Sequence, residues 1–199
     1  MNRRKFVKSA VGGAVAATLP YGLARLLAPE VHARESSHLL PPGALSDLKE
    51  FTAACIGCGV CGEICPPKCI QFYKRDAGAG AQTPYIDPEV QACTLCGKCM
   101  EVCPTKALTV TERKQINMGI AQIDRSACYP WVDKGICGAC VAICPLGEKA
   151  IGFKMWGQYR PIVKDACVGC GLCVEICPQP SLPIKIVERS KGSVARHTI

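Results

Sequence analysis

The sequence predicts an α+β fold of short strands and cysteine-bearing loops, and three observations predict it. Sixteen of the 17 cysteines fall into four copies of one spacing pattern. Short β-prone runs flank most of these copies. The 166 residues from Arg34 to Ile199 leave room for only one or two small domains.

The four copies are CIGCGVCGEICP from Cys55, CTLCGKCMEVCP from Cys93, CYPWVDKGICGACVAICP from Cys128 and CVGCGLCVEICP from Cys167. Three match C-x2-C-x2-C-x3-C-P residue for residue. The third carries six extra residues between its first and second cysteines. This run is the ligand pattern of bacterial ferredoxins, where three thiolates bind one cubane and the fourth reaches a second. The candidate ligands are Cys55, Cys58, Cys61 and Cys65; Cys93, Cys96, Cys99 and Cys103; Cys128, Cys137, Cys140 and Cys144; and Cys167, Cys170, Cys173 and Cys177. They suffice for four [4Fe–4S] clusters. The fold class in full is therefore α+β, with two interlocked bacterial-ferredoxin-like modules of two clusters each.

The spacing has a physical reason. Three cysteines two apart on a tight loop turn their sulfurs to three corners of one cube. Gly57, Gly59, Gly97, Gly138, Gly169 and Gly171 let backbone pass close to inorganic sulfide. The proline after each fourth cysteine turns the chain away. A disulfide framework does not need four repeats of one spacing followed by proline. Zinc takes two C-x2-C pairs or mixed Cys/His sets, and none of the three histidines is near a motif. No C-x-x-C-H occurs, so attached c-type haem is excluded.

In chain order, residues 1–33 read as an export leader. Arg3-Arg4-Lys5-Phe6-Val7-Lys8 resembles the twin-arginine consensus, a mildly apolar stretch follows, and Val31-His32-Ala33 offers a small-x-small cleavage site. Pro20 and Arg25 make the stretch a poor membrane span; an uncleaved anchor is the alternative. Clusters are assembled before export, and the twin-arginine route carries folded cargo, so leader and clusters support each other. A linker follows over 34–50. Leu45, Leu48 and Phe51 sit three apart, so Ser46 to Ala54 is expected to form a short helix, capped by Ser46 or Asp47.

The tandem cluster region spans 51–190, with a polar tail over 191–199. Motifs two, three and four are each preceded by a β-prone run, at 84–87, 120–124 and 161–165. Each is followed by another, at 107–110, 150–153 and 184–187. Motif one has the following run, at 70–73, but a helix-like lead-in. Gly78-x-Gly80 lacks a third glycine and a following helix, so it is no dinucleotide site.

Two positions stand apart. Cys69 falls where Ala107 sits when CPPKCI is aligned with CPTKAL. The expectation is a small buried residue packed near a cluster; the sharper alternative is a spare ligand or redox-active thiol. In the third motif Tyr129 to Ile136 reads as an inserted loop with all four cysteines still ligating and Trp131 as a packing lid. The alternative has Cys128 non-ligating and a three-iron cluster there.

Charge excludes little by itself. The chain carries 24 Lys+Arg against 16 Asp+Glu. Five of these bases and one acid lie in 1–33, which leaves 19 against 15. Four oxidised cubanes with their thiolates would bring that remainder to roughly −4. The formal basicity is no argument for nucleic acid, and no basic–aromatic stripe appears.

The chain resembles the MauM/NapG family of ferredoxin-type proteins. The resemblance rests on the leader, Pro41-Pro42-Gly43-Ala44-Leu45, Phe51-x-x-Ala54-Cys55, Thr83-Pro84-Tyr85, Met118-Gly119-Ile120-Ala121, the stretched third motif and Asp165-Ala166-Cys167-x-Gly169-Cys170-Gly171. It covers roughly Leu39 to Val187. It implies an electron carrier of the periplasm, in solution or at the membrane surface. That carrier would work between a membrane quinol dehydrogenase and a periplasmic redox enzyme such as nitrate reductase. Cys69 has no role in that family pattern.

Alternatives remain open. They are an electron-transfer subunit of another molybdenum oxidoreductase, a component of methylamine oxidation, or a cluster-carrying maturation protein. A catalytic enzyme is disfavoured, because all sixteen motif cysteines are committed and no nucleophile or nucleotide motif is present. Four-cluster subunits of molybdenum enzymes, which the motifs resemble, nest their pairs. By that likeness Cys65 ligates with Cys167, Cys170 and Cys173, and Cys177 with Cys55, Cys58 and Cys61. Cys103 and Cys144 are exchanged between the inner motifs. Sequential pairing, one with two and three with four, is the runner-up.

The leader yields a direct test. Replacing Arg3 and Arg4 together by Lys is expected to strand the chain in the cytoplasm, as read by cell fractionation. Undiminished export of the double variant would show that the leader is misread.

Overall fold

The computed structural model describes residues 38–74, 80–154 and 159–189. The leader expected over 1–33, the linker's first residues 34–37 and the tail expected over 191–199 lie outside the described residues.

Helix α1 (Leu48–Ala54) leads into the first motif. It starts where Asp47 Oδ1 accepts the Lys49 N–H at 2.8 Å, which satisfies one of the orphan donors of the first turn. Of the two expected caps, Asp47 is the one used. Phe51 on this helix is 1 % exposed and anchors it to the core. Each motif then folds as a loop followed by one helical turn that carries its third cysteine. These turns are α2 (Val60–Glu63), α3 (Lys98–Glu101), α4 (Ala139–Ala142) and α5 (Leu172–Glu175).

The strands are short, because proline, glycine and the cysteine loops interrupt them. They are β1 (Ile70–Phe72), β2 (Pro84–Ile86), β3 (Ile120–Ile123), β4 (Ile151–Lys154), β5 (Arg160–Val163) and β6 (Ile184–Val187). β1 pairs antiparallel with β2, with Ile70 opposite Ile86. β4 pairs with β5, Ile151 opposite Val163, and β3 with β6, Ile120 opposite Val187. In the second half, then, the strands between motifs three and four form an inner hairpin, and those outside them form an outer pair.

The first half repeats this plan in reduced form. β1 and β2 are the inner hairpin. The outer pair is a single bridge, Ala44 with Leu108, held by Thr109 N–H to Gly43 O at 2.8 Å and Leu45 N–H to Ala107 O at 3.3 Å. The strand expected over 107–110 is therefore only this bridge. Its partner segment is the cause: Pro41 and Pro42 have no N–H to extend a ladder, and α1 begins soon after. Leu39 adds instead to β2, exchanging two 2.8 Å hydrogen bonds with Ile86.

The core runs through both halves and includes Phe51, Ile86, Ile151, Val174 and Ile186. The halves are joined by hydrogen bonds. Cys93 N–H donates to Cys170 O at 3.1 Å and Met118 N–H to Val168 O at 3.0 Å. Glu175 accepts from the buried Ala92 N–H at 2.7 Å and from Gln91 Nε2 at 3.1 Å. Gly171 sits in this junction at φ +88°, and a Cβ there would come 2.5 Å from Pro88 Cβ. Among the described residues no helix is long and apolar enough to cross a membrane.

Gly147 is the natural control for Gly171. It adopts φ +60°, and nothing lies within 4 Å of where its Cβ would be. Gly147→Ala is expected to cost about 1–2 kcal/mol from the left-handed backbone alone. Gly171→Ala should cost more, because Pro88 must also move. Thermal unfolding of the two variants measures the difference; equal losses would mean that the junction is not tightly packed.

Candidate functional site

The cysteines gather in sets of four, each drawn from two motifs. One hollow is lined by Cys55, Cys58 and Cys61 of the first motif and by Cys103 of the second, with Phe51, Phe72 and Leu108 closing it. A second is lined by Cys93, Cys96 and Cys99 together with Cys65. A third is lined by Cys167, Cys170 and Cys173 together with Cys144, against Ala121, Ile151 and Ile186. With their open mouths they measure about 370, 280 and 370 Å³.

The remaining four also converge. Burial raises the Cys128 thiol, and the neighbouring Cys137 and Cys177 raise it further. Burial pushes Cys140 up to about 11, with Cys137 and Cys128 adding to the effect. Gln179 Nε2 donates to Ala127 O at 3.2 Å, which ties the chain after Cys177 to the residue before Cys128. The structure thus places Cys128 beside Cys137, Cys140 and Cys177.

These sets correct the nested pairing. Cys65 lies with Cys93, Cys96 and Cys99, not with the fourth motif, and Cys103 lies with the first. Cys144 lies with the fourth motif and Cys177 with the third. The reason is strand pairing. The β1–β2 and β4–β5 hairpins close short loops, which costs less chain entropy than bringing the first and last motifs together. The leading strand that motif one lacks in sequence is replaced by Leu39 on β2 and by the Ala44 bridge.

Contacts between sets put the motifs in the order one, two, four, three. Burial pushes Cys99 up to about 12, and Cys61 and Cys65 are among the thiols that add to it. The Cys93–Cys170 backbone hydrogen bond joins the second set to the third. Burial raises Cys173, as do its own motif's thiols and then Cys140 and Cys144, which joins the third set to the fourth. Nothing in the sequence marks this order, because it depends on how the halves dock.

Burial and hydrogen bonding pull the thiols in opposite directions. Burial pushes Cys61 and Cys170 up to about 11, which favours the protonated thiol, so iron binding there would release protons. Cys103 goes the other way. Burial works to raise it, but hydrogen bonds from Leu108, Thr105 and Ala107 bring it below the usual thiol range. Backbone N–H groups also point at sulfur: Leu95 N to Cys93 Sγ at 3.4 Å and Ala121 N to Cys167 Sγ at 3.5 Å. Such bonds help to set cluster potentials.

The set geometry fits a many-atom centre. Zinc holds its sulfurs at ~2.3 Å, and among the described residues no three His, Cys, Asp or Glu groups are placed for a single ion. Each hollow is bounded by three sulfurs of one motif and one of another, which is the three-plus-one demand of exchanged cubanes. Gly57, Gly59, Gly97, Gly169 and Gly171 are all at positive φ. Gly138 differs, at φ −138°. Leu95 takes the position equivalent to Gly57 and adopts φ +57°.

The inserted loop of motif three is pinned rather than loose. Trp131 Nε1 donates to Pro161 O at 3.0 Å. The Arg125 guanidinium lies 4.3 Å from the Trp131 ring centroid and that of Arg160 5.4 Å. Arg160 also forks onto Asp133 at 2.8 and 3.1 Å. These contacts suit the packing role expected of Trp131. Cys69, as expected, is buried beside the second set.

Comparison with known proteins agrees with this chemistry. The profile of the 4Fe-4S dicluster domain matches residues 54–107 and 92–148, and that of a 4Fe-4S binding domain matches 160–180. The second dicluster match spans motifs two and three, which the structure does not pair; motif spacing is blind to pairing. The chain is 33% identical to ferredoxin-type protein NapG of Haemophilus influenzae, over 98% of this chain and 75% of that protein. It is 32% identical to methylamine utilization ferredoxin-type protein MauM of Methylophilus methylotrophus, over 96% of this chain and 88% of that protein. NapG of Escherichia coli K12 is 30% identical over 98% of this chain and 90% of its own length. The chain belongs to the NapG/MauM family of ferredoxin-type proteins: it is an iron–sulfur electron-transfer protein that binds [4Fe–4S] clusters.

Proposed function

We propose that the chain carries four [4Fe–4S] clusters in two interlocked ferredoxin-like modules. It relays electrons between a membrane quinol dehydrogenase and a periplasmic redox enzyme such as nitrate reductase. The observation that carries this reading is the three-plus-one composition of all four cysteine sets. When bound, each cluster supplies a centre that takes up and releases one electron.

The residues do the rest. Cys55, Cys58, Cys61 and Cys103 hold one end of the row, and Cys128, Cys137, Cys140 and Cys177 hold the other. Cys65 with Cys93, Cys96 and Cys99, and Cys144 with Cys167, Cys170 and Cys173, hold the middle. The ends carry the exposed apolar residues Ile56 and Ile136 beside their cysteines, where redox partners dock. The chain does no substrate chemistry of its own. It reaches the periplasm folded, by the twin-arginine route, and works in solution or at the membrane surface. A second reading, service to a methylamine-oxidation pathway, is favoured by similarity to MauM nearly as high as that to NapG.

Anaerobically purified protein is expected to hold about sixteen iron and sixteen sulfide per chain. Membranes containing the quinol dehydrogenase, given a quinol analogue, should bleach its visible absorption. Half that iron, or stoichiometric zinc, overturns the four-cluster reading. Bleaching by dithionite but not by the membranes overturns the relay.

A further inference from the structure

The second hollow contains a sulfur that the three-plus-one scheme does not use. Cys69 lies four residues after Cys65, is 1 % exposed, and lines the hollow with Cys65, Cys93, Cys96 and Cys99. Its Sγ is 3.5 Å from that of Cys65. The first hollow supplies an internal comparison. There the residue four after Cys103 is Ala107, which lines that hollow from the matching position. The two hollows therefore differ by one sulfur, five against four.

Packing alone does not need this sulfur. A buried free cysteine usually acts as a small apolar filler, and Ala107 shows that a methyl group fills the matching place. What the sulfur adds is ligand chemistry. A thiol in contact with the Cys65 sulfur, and facing the same hollow, is placed to take over the corner that Cys65 serves.

Resting on the four-cluster reading, we propose that Cys69 is a reserve ligand for the corner of the second centre held by Cys65. The exchange is redox-neutral. An iron–sulfur bond to Cys65 breaks, one to Cys69 forms, and the Cys69 thiol proton passes to the departing Cys65 sulfur. If Cys65 is missing, that proton goes to water and Cys69 ligates outright. Cys103 has no such deputy.

Iron and sulfide counts on full-length, anaerobically purified variants test this. Cys65→Ala and Cys69→Ala are each expected to keep the wild-type count, with the reduced-state electron paramagnetic resonance signal of the Cys65→Ala protein shifted by the new ligand. The double variant should lose iron, from about one atom per chain where a three-iron centre remains to about four where the centre is lost, and so should Cys103→Ala alone. Adding Ala107→Cys to Cys103→Ala should restore the loss. The proposal is overturned if Cys65→Ala loses as much iron as the double variant, or is as poorly soluble. The wild-type count separately tests the four-cluster reading, so the two failures are distinguishable.

Discussion

The exchange of fourth cysteines between paired motifs is the constraint on which this structure depends. Each cysteine set is completed by a residue of another motif, 23 to 42 positions from the nearest of the other three, so no set closes until two motifs have docked. Strands of three or four residues and helical turns of four cannot hold such a fold by themselves. The apolar residues that are buried, such as Phe51, Ile86 and Ile186, lie around the cysteine sets rather than in a separate core. In small metal-bearing domains built this way, cofactor binding and folding are one process.

The same constraint explains the unequal halves. In the second half, β3 and β6 form a four-residue outer pair that brings Cys128 and Cys177 to one place. In the first half, Pro41 and Pro42 rule out such a ladder, and one bridge plus the buried face of α1 replaces it. Both solutions give the same three-plus-one sets. The junction between halves then decides the order of the sets, through the Cys93–Cys170 hydrogen bond and the Glu175 carboxylate on the Ala92 N–H.

What was legible in the sequence was local. The sixteen candidate ligands follow from spacing, and the structure gathers all of them. The Asp47 cap, the burial of Cys69 and most strands were legible because they depend on a few neighbouring residues. The pairing was not. The gaps between motifs are similar in length, and nothing in Cys65 or Cys177 says which partner is nearer. The choice rests on which strands find each other, and the weak lead-in to Cys55 pointed the wrong way. Nor was the order of sets legible, since Ala92 and Glu175 carry no sequence signal of their contact.

Crystallography of the holo-protein, with anomalous scattering at the iron edge, tests the central claim most directly. The account predicts iron bonded to Cys65 Sγ within the centre that Cys93, Cys96 and Cys99 hold, and iron bonded to Cys177 Sγ within that of Cys128, Cys137 and Cys140. Iron joining Cys65 to Cys167, Cys170 and Cys173 would contradict it.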